Sequence, residues 1–343
     1  MSTVPAVAAD QHVVLAHGGG GELTQQLLSR HILPGLANGL LDPLDDGAIL
    51  KTDSGTQAFT TDAFVVQPLE FPGGDIGRLA VCGTVNDLAV MGADPVALSL
   101  ALIIEEGLPL ATLDRIVASI AEAATEAGVA IATGDTKVIE RRAGDGLMIT
   151  TAGVGTLADD VNLSMARIAS GDRIILTGTL ADHGLTIMTV REGIEIDSAL
   201  RSDAAPLNGL LAALRATGAD IKFMRDPTRA GVAGLLADVA QSVSAGIELT
   251  EDAIPMTPVA RHTAELLGLD PLNVANEGKC VIVVSPTDAD AVLRACRAHP
   301  LGRAAAIIGE VVPADLPLVT LRTRIGGSRV VQRPYGEELP RIC

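Results

Sequence analysis

The apolar residues of this 343-residue chain are almost all aliphatic. Hydrophobic residues make up 48% of the sequence, yet it contains four Phe, one Tyr and no Trp. Its cores must therefore be built from Ala, Val, Leu and Ile, which suits parallel α/β sheets covered by Ala-rich helices. A chain of this length exceeds the usual limit for a single core, so two domains are expected.

Strand-like and helix-like segments alternate through two blocks of the chain. We expect an N-terminal α/β domain over residues 41–160 and a second α/β domain over residues 165–332. Residues 1–40 are expected to form a leader with a glycine-rich loop. Residues 333–343 contain two Pro and one Gly and are expected to form an extended, mobile tail.

The elements predicted from hydrophobic periodicity are strands at 48–51, 58–61, 96–104, 129–132, 147–154, 173–176, 247–249, 281–284 and 305–311, and helices at 75–91, 110–127, 184–192, 206–216, 229–243 and 288–298.

The acidic balance of the chain excludes several partners. Asp and Glu number 42 against 25 Lys and Arg, so the net charge is −17. Such a surface repels nucleic acid and anionic membranes, and a phosphorylated ligand would need Mg²⁺ held by carboxylates. The sequence shows no basic export signal, no run long enough to cross a membrane and no cysteine spacing typical of disulfides or zinc. A cytoplasmic location is therefore expected.

Four consecutive glycines precede a predicted short helix and form the first candidate site. Backbone N–H groups in the loop at Gly18, Gly19, Gly20 and Gly21 could approach an anion closely. The loop matches neither a P-loop nor a dinucleotide-binding fingerprint. A flexible linker is the alternative interpretation.

Carboxylates at strand ends and in an apolar helix form the second candidate. Asp62 ends a strand, Asp87 interrupts an otherwise apolar helix, and Asp135 follows another strand. Each alone is explained by a cap or a turn, but the three together fit a Mg²⁺-nucleotide site. Lys137 could then neutralise phosphate charge, although a solvated surface lysine is the alternative.

The second block contains polar residues that a helix cap or a turn could account for without any role in a site. Asp226 is predicted to cap a helix, with Pro227 at its first position. Arg229, in the first turn, opposes the helix dipole and indicates an anionic partner. Asn276 and Glu277 lie in a loop whose turn chemistry explains them equally well.

The chain ends in a cysteine. Cys343, on its Pro-containing tail, could carry a group into an active site and out to another protein, although a chance terminus is the alternative. Cys82, Cys280 and Cys296 lie in apolar segments and are expected to be core residues. His183 is expected to have a structural role beside a helix cap.

A family resemblance runs from His17 to Cys343. The stretches that carry it are HGGGG at 17–21, FTTDAFVV at 59–66, FPGGDIGRLAVCGTVNDLAVMGADP at 71–95, GDTKV at 134–138, HGLTIMTVREG at 183–193, DPTRAG at 226–231, ANEGK at 275–279 and PRIC at 340–343. On these residues the sequence resembles the HypE family of hydrogenase maturation factors, which are carbamoyl dehydratases of the PurM-like (AIR synthetase-like) ATP-binding superfamily. Ala63 and Ala230 depart from the Ser and Gly of the family pattern.

The resemblance implies a fold and a reaction. The fold would have two PurM-like α/β domains with mixed sheets, and the first domain would form a homodimer through its sheet. A carbamoyltransferase, HypF, would load a carbamoyl group onto Cys343. ATP-dependent dehydration would convert that group to a thiocyanate, and a HypC–HypD complex would accept it as cyanide for the nickel-iron centre.

The resemblance also implies residue roles. Asp62, Asp87 and Asp135 would bind Mg²⁺ and the ATP phosphates, and Lys137 would contact the transferring phosphoryl group. Glu277 is the candidate general base, and the pocket that receives the tail would be lined by Asn276 and Arg229. Gly18, Gly19 and Gly20 would close over the nucleotide.

Two alternatives remain at this stage. A related superfamily enzyme such as a selenophosphate synthetase would carry a reactive cysteine near the glycine loop, but no cysteine precedes Cys82. A non-catalytic thiol carrier would need the tail but no nucleotide site.

Overall fold

The computed structural model describes residues 12–53, 55–194, 200–336 and 342–343. Residues 1–11 of the predicted leader and residues 337–341 of the predicted tail lie outside these ranges. The strands are β1 (Ala48–Thr52), β2 (Gly55–Phe64), β3 (Glu70–Phe71), β4 (Gly74–Asp75), β5 (Asp94–Glu105), β6 (Ala130–Ile139), β7 (Leu147–Leu157), β8 (Arg173–Leu176), β9 (Ile221–Arg225), β10 (Gly246–Thr250), β11 (Val281–Val284), β12 (Ala306–Val312), β13 (Val319–Arg322) and β14 (Ser328–Val331).

The α-helices are α1 (Glu22–Leu27), α2 (Leu33–Leu36), α3 (Ile76–Val90), α4 (Leu110–Ala127), α5 (Asp182–Arg191), α6 (Asn208–Arg215), α7 (Gly231–Val243), α8 (Pro258–Leu267) and α9 (Ala289–Ala298). No helix in the described part of the chain combines the length and the apolar character that crossing a bilayer requires.

The first sheet has five strands in the order β1-β2-β7-β5-β6. Helices α3 and α4 pack together and cover one face of it, where the buried aliphatic side chains of β2 and β7 lie. Its other face is open: apart from Ile139, every residue of β6 is exposed. The exposed side chain of Phe59 lies on this open face, since its neighbours Ala58 and Thr60 point to the buried face.

The second sheet has seven strands in the order β14-β13-β10-β12-β8-β11-β9 and is covered on both faces. Successive side chains of a strand point to opposite faces. Ile174 and Leu176 accordingly join the core with α7 and α8, whereas Ile175 joins the core with α6 and α9. Burial on both faces explains why β8 and β11 are apolar along nearly their whole length.

The aliphatic composition suggested parallel sheets, and that expectation is wrong. Among the pairings described, only β5 with β6 and β10 with β13 are parallel, and the other pairs are antiparallel. Strands rich in aliphatic residues suit any sheet that is buried on both faces, whether it is parallel or antiparallel. The composition therefore indicates burial and not strand direction.

Helix α3 links the two halves of the molecule. Its first turn is capped by Asp75, whose carboxylate accepts hydrogen bonds from the backbone N–H groups of Gly77 (2.8 Å) and Arg78 (2.9 Å). Near its end, Asn86 donates to the backbone carbonyl oxygens of Ala205 and Glu277. The helix is therefore fixed to the second domain at the residue before Asp87.

The helix that follows Asp226 begins later than predicted. The first residue of α7 is Gly231 and its N-cap is Ala230, so Asp226 does not cap it, and Pro227 is not its first residue. Ala230 adopts a φ of 62°, in the left-handed region that glycine tolerates best. The sharp turn at Ala230 separates Asp226 from the helix and leaves its carboxylate free to enter a buried cluster.

Replacing Ala230 with Gly should stabilise the protein. A left-handed residue with a Cβ costs about 1–2 kcal/mol relative to glycine, partly offset by the extra entropy of the unfolded glycine. We expect a gain of about 1 kcal/mol and a Tm rise of about 2–4 °C in thermal unfolding. The control is Ala121→Gly, in the exposed middle of α4, which should lower stability by a similar amount. An unchanged or lower Tm for Ala230→Gly would contradict the strain argument.

Candidate active site

Five carboxylates from separate segments meet between the two domains. Asp46 precedes β1, Asp62 lies in β2 and Asp87 lies in α3. Asp226 follows β9, and Glu277 lies in the loop before β11. Four of them, together with the side chains of Arg229 and Cys343, line one small cavity of about 50 Å³: Asp62, Asp87, Asp226 and Glu277.

Three of these side chains are close enough to share one cation. Ligand oxygens of Asp46, Asp87 and Asp226 lie within 4.8 Å of one another. Carboxylate oxygens are the donors that Mg²⁺ and Ca²⁺ prefer, and these three belong to three different segments held in place by the fold. The donor set therefore fits a hard divalent cation.

The electrostatics of this cluster favour protons or a cation. Burial raises the pKa of both Asp87 and Asp226 well above the usual range, and the neighbouring carboxylates raise them further. Asp62 also has a raised pKa from burial, moderated by Arg229 and by hydrogen bonds with Thr84 and Asp87. Carboxylates in this environment should bind a divalent cation with release of protons.

Two arginines supply positive charge to the cluster, each beside different carboxylates. Arg225 binds Asp46 through Nε at 3.0 Å. Arg229 faces Cys343, Asp62 and Glu277, and these neighbours together raise the pKa of its guanidinium. The expectation of an anionic partner for Arg229 matches this position.

The C-terminal cysteine reaches this cluster. The backbone N–H of Val65 donates to the main-chain oxygen of Cys343 (3.3 Å), and the ring of His183 contacts the carbonyl oxygen of Ile342 (2.9 Å). Burial raises the pKa of the Cys343 thiol, and the Glu277 carboxylate raises it further. A thiol held in this way stays protonated and is a poor nucleophile.

The glycine loop packs against both the tail and Arg229. Gly18 and Gly19 line a larger cavity of about 370 Å³ that also reaches Cys343. At Gly21 a Cβ would lie 2.3 Å from the carbonyl oxygen of Pro334, and at Gly20 it would lie 2.8 Å from Cβ of Arg229. These glycines are required for close packing, which the flexible-linker interpretation does not explain.

Asn276 and Glu277 are neighbours with different roles. The side-chain amide of Asn276 donates to the carbonyl oxygens of Pro227 and Val274, and its Oδ1 accepts from the N–H of Ala181. These hydrogen bonds all go to backbone groups, and Asn276 is not among the residues that line the two cavities, so its place in the tail pocket stays a prediction. Glu277 is 1% exposed, and its Oε1 has no hydrogen-bond partner among the described residues.

Asp135 and Lys137 do not join the cluster within one chain. Both lie in β6, which continues through the GDTK motif instead of ending before it. Asp135 is three strands away from Asp62 across the sheet, roughly 14 Å. It also points to the opposite, open face of the sheet, where it pairs with Lys137 at 2.9 Å. Among the described residues of one chain, the carboxylates that could share a cation are those of Asp46, Asp87 and Asp226, with Asp62 beside them. The metal roles of Asp62 and Asp135 stay predictions.

Sequence reasoning missed three residues of this site. Asp46 drew no attention because acidic residues before a strand are common, although two adjacent aspartates precede β1. Asp226 was assigned to a cap, and His183 was assigned a structural role without its contact to Ile342. Only the tertiary arrangement brings these three together.

Known protein families and relatives match nearly the whole length of the chain. Residues 44–157 match the N-terminal domain of AIR synthase related proteins, and residues 169–320 match their C-terminal domain. The chain is 48% identical to the carbamoyl dehydratase HypE of Rhizobium leguminosarum bv. viciae over 336 residues, covering 98% of this chain and 96% of that protein. The chain belongs to the HypE family.

Solved structures of HypE proteins share this fold. The HypE–HypF complex has a chain that is 44% identical, with a TM-score of 0.85, covering 90% of this chain and 99% of that one. HypE in complex with ATP is 41% identical, with a TM-score of 0.82, covering 97% of this chain and 100% of that one. The expected two-domain PurM-like architecture with mixed sheets is thereby confirmed.

Proposed function

We propose that this protein is an ATP-dependent carbamoyl dehydratase that acts on a carbamoyl group carried by its own Cys343. The observation that carries the proposal is the position of the terminal cysteine: its side chain lines the same small cavity as Asp62, Asp87, Asp226 and Glu277. A thiol carrier without catalytic activity would not require a buried acidic cluster around its thiol. The cluster is costly to bury unless it binds a cation or protons.

The chemistry proceeds in two steps. The oxygen of the thiocarbamate attacks the γ-phosphorus of ATP, an O–P bond forms, and ADP leaves. The C–O bond then breaks, phosphate departs, and the nitrogen loses two protons to give the thiocyanate. Phosphorylation is needed because an amide oxygen is otherwise a poor leaving group, and such transfer depends mainly on positioning and charge neutralisation.

The protein's own residues would divide these tasks. Asp46, Asp87 and Asp226 would hold Mg²⁺, which neutralises phosphate charge when bound. Arg229 would stabilise the negative charge that develops beside the thiocarbamate. Glu277, buried and with one oxygen unpartnered, is positioned to accept protons from the nitrogen.

The ATP phosphates would enter through the larger cavity, where Gly18 and Gly19 offer close backbone approach. Gly20 would allow this loop to pack closely against Arg229. The family relative solved with ATP supports nucleotide binding in this fold.

A homodimer would complete the site. The open face of the first sheet carries the exposed Phe59, and a dimer would cover it. Asp135 and Lys137 lie on this face, so we propose that they serve nucleotide binding at the interface rather than within one subunit. Both residues thereby keep the nucleotide-binding roles predicted for them, although within one chain they lie far from Asp62.

The proposed partners follow from the reaction. A carbamoyl donor is required, and the solved HypE–HypF complex supports HypF in that role. An acceptor of cyanide is also required, for which we propose the HypC–HypD complex in the cytoplasm. The buried Cys82, whose pKa burial raises to about 12, is a poor candidate for either exchange.

Mass spectrometry of the C-terminal peptide tests the function. Protein carbamoylated by HypF should lose the mass of one water at Cys343 when MgATP is added. The Cys343→Ala variant should fold normally and accept no carbamoyl group. An unchanged adduct mass with a working donor would reject the dehydratase proposal, and an adduct on Cys82 would reject the choice of thiol.

A further inference from the structure

The last two residues of the chain are held as a docked peptide would be. Ile342 is 3% exposed and belongs to the main apolar cluster of the first domain. The same cluster includes Ile187, Ala204 and Ala275 from the second domain. An aliphatic side chain at the penultimate position is thus buried where the two domains meet.

Polar contacts hold the backbone of the same two residues. The main-chain oxygen of Cys343 accepts a hydrogen bond from Val65 N–H at 3.3 Å. The carbonyl oxygen of Ile342 lies 2.9 Å from Nε2 of His183, and because a carbonyl can only accept, Nε2 carries the proton.

The orientation of His183 is fixed by its own neighbours. Nδ1 lies 2.8 Å from the hydroxyl of Ser202, which itself accepts from the N–H of Ala204. Ser202 therefore donates to Nδ1 and keeps the proton of the ring on Nε2. The imidazole ring of His183 makes an edge-to-face contact with the ring of Phe71, and the two ring centroids are 5.6 Å apart. His183 itself is fully buried.

We propose that these groups form a recognition site for a C-terminal Ile-Cys dipeptide, with Ile342 as the anchor and His183 as a positioning residue for the Cys343 thiol. The proposal rests on the proposed function, because the purpose of the site would be to hold the tethered Cys343 thiol at one fixed position in the active site. The tail tether raises the local concentration of the dipeptide. The contacts at this site then place the Cys343 sulfur, and no other atom of the tail, in the cavity beside Arg229 and Glu277.

Thiol alkylation in the resting, full-length protein tests the site without ATP or any partner. Cys343 should react slowly with iodoacetamide because the docked dipeptide holds its thiol in the narrow cavity beside Arg229 and Glu277. The Ile342→Glu variant places a charge in the apolar site and should release the dipeptide, so its Cys343 should react at least about tenfold faster. Ile325→Glu is the matched control, because Ile325 is 96% exposed and its substitution should leave the rate unchanged.

Variants of His183 test the positioning role. His183→Ala should also accelerate alkylation of Cys343, whereas His183→Gln, which keeps a donor, should restore much of the protection. His262→Ala is the control at an exposed histidine of α8. Circular dichroism should show an unchanged fold for the Ile342 variant, whose substitution lies next to the chain end.

Each outcome decides the proposal. Wild-type alkylation rates in both Ile342→Glu and His183→Ala would overturn the site, and equal rates for the Gln and Ala variants of His183 would overturn its positioning role. A synthetic peptide with the sequence of residues 333–343 should bind the Ile342→Glu chain, and the same peptide with Glu in place of Ile should not; equal binding would overturn the anchor. If wild-type protein fails to dehydrate its carbamoyl group while the alkylation pattern holds, the proposed function falls and the recognition site stands.

Discussion

Replacing Asp226 with Asn should abolish ATP-dependent dehydration and at the same time make the protein more resistant to heat. The carboxylate lies within 4.8 Å of oxygens of Asp46 and Asp87, and it is 6% exposed. Removing its charge removes one of the proposed cation ligands, which should lower the rate at least about 10³-fold. Asp87→Asn should lose activity for the same reason.

The gain in stability follows from the raised pKa of Asp226. Burial and the charges of Asp46 and Asp62 hold this pKa well above its usual range, so the folded state favours the protonated form. Stability from such a group is present at low pH and is lost as the pH rises through the raised pKa. At pH 8 the wild-type protein without a divalent cation should therefore be less stable than at pH 5, and the Asn variant should show a smaller difference.

Calorimetry with and without MgCl₂ checks both effects. At pH 8 we expect the Asn variant to unfold about 2–4 °C above the wild type when Mg²⁺ is absent, for a difference of about 1 kcal/mol. Mg²⁺ should raise the Tm of the wild type and have little effect on the variant. The control is Asp315→Asn, at an exposed position, which should change neither value. A variant that stays active, or is stabilised by Mg²⁺ as the wild type is, would contradict the proposed cation site.

Much of the fold could be predicted because local periodicity survives in the buried elements. The predicted helix at 110–127 matches α4 residue for residue, since its apolar face repeats at helical spacing and a glycine follows its last residue. Strands β8 and β11 were found because burial on both faces makes them apolar throughout. Helix α8 and strands β9, β13 and β14 were not predicted; each is short, and polar residues interrupt its apolar positions.

The site was harder to predict than the fold because its residues are brought together by tertiary structure. Asp87 was found because a charge in an apolar helix needs a partner. Asp226 was missed because Asp-Pro before a helix is well explained as a cap, and only the left-handed turn at Ala230 separates it from α7. Asp135 lies apart from the other predicted ligands within one chain because β6 extends past the motif, so the alternation of the strand points its side chain to the open face.

Replacing Glu277 with Gln should stop dehydration while leaving the loading of Cys343 intact. The Glu277 side chain is buried beside Arg229 and the terminal thiol, and its Oε1 has no hydrogen-bond partner in the described part of the chain. Its backbone is fixed independently, since its N–H donates to Asp203 and its carbonyl oxygen accepts from Asn86. Gln preserves shape and volume but cannot accept the proton, so single-turnover loss of water should slow by about 10²–10⁴-fold.

The pH profile separates a proton acceptor from a residue that only shapes the cavity. Burial, and then the charges of Asp226 and Asp203, raise the pKa of Glu277 well above the usual range, while Arg229 lowers it. A base must be deprotonated to act, so wild-type dehydration at saturating MgATP should fall as the pH drops through that raised pKa.

In Glu277→Gln this acidic limb should disappear from the residual rate, because the group that titrates is gone. Glu265→Gln, at an exposed position, should keep the limb and the full rate. If the Gln variant retains the wild-type limb, the titrating group is another carboxylate of the cluster, and Asp62 becomes the candidate because it lines the same cavity beside Cys343. If the variant instead loses ATP binding in parallel with dehydration, Glu277 serves the nucleotide, and the proton acceptor must be sought among the phosphate oxygens released in the second step.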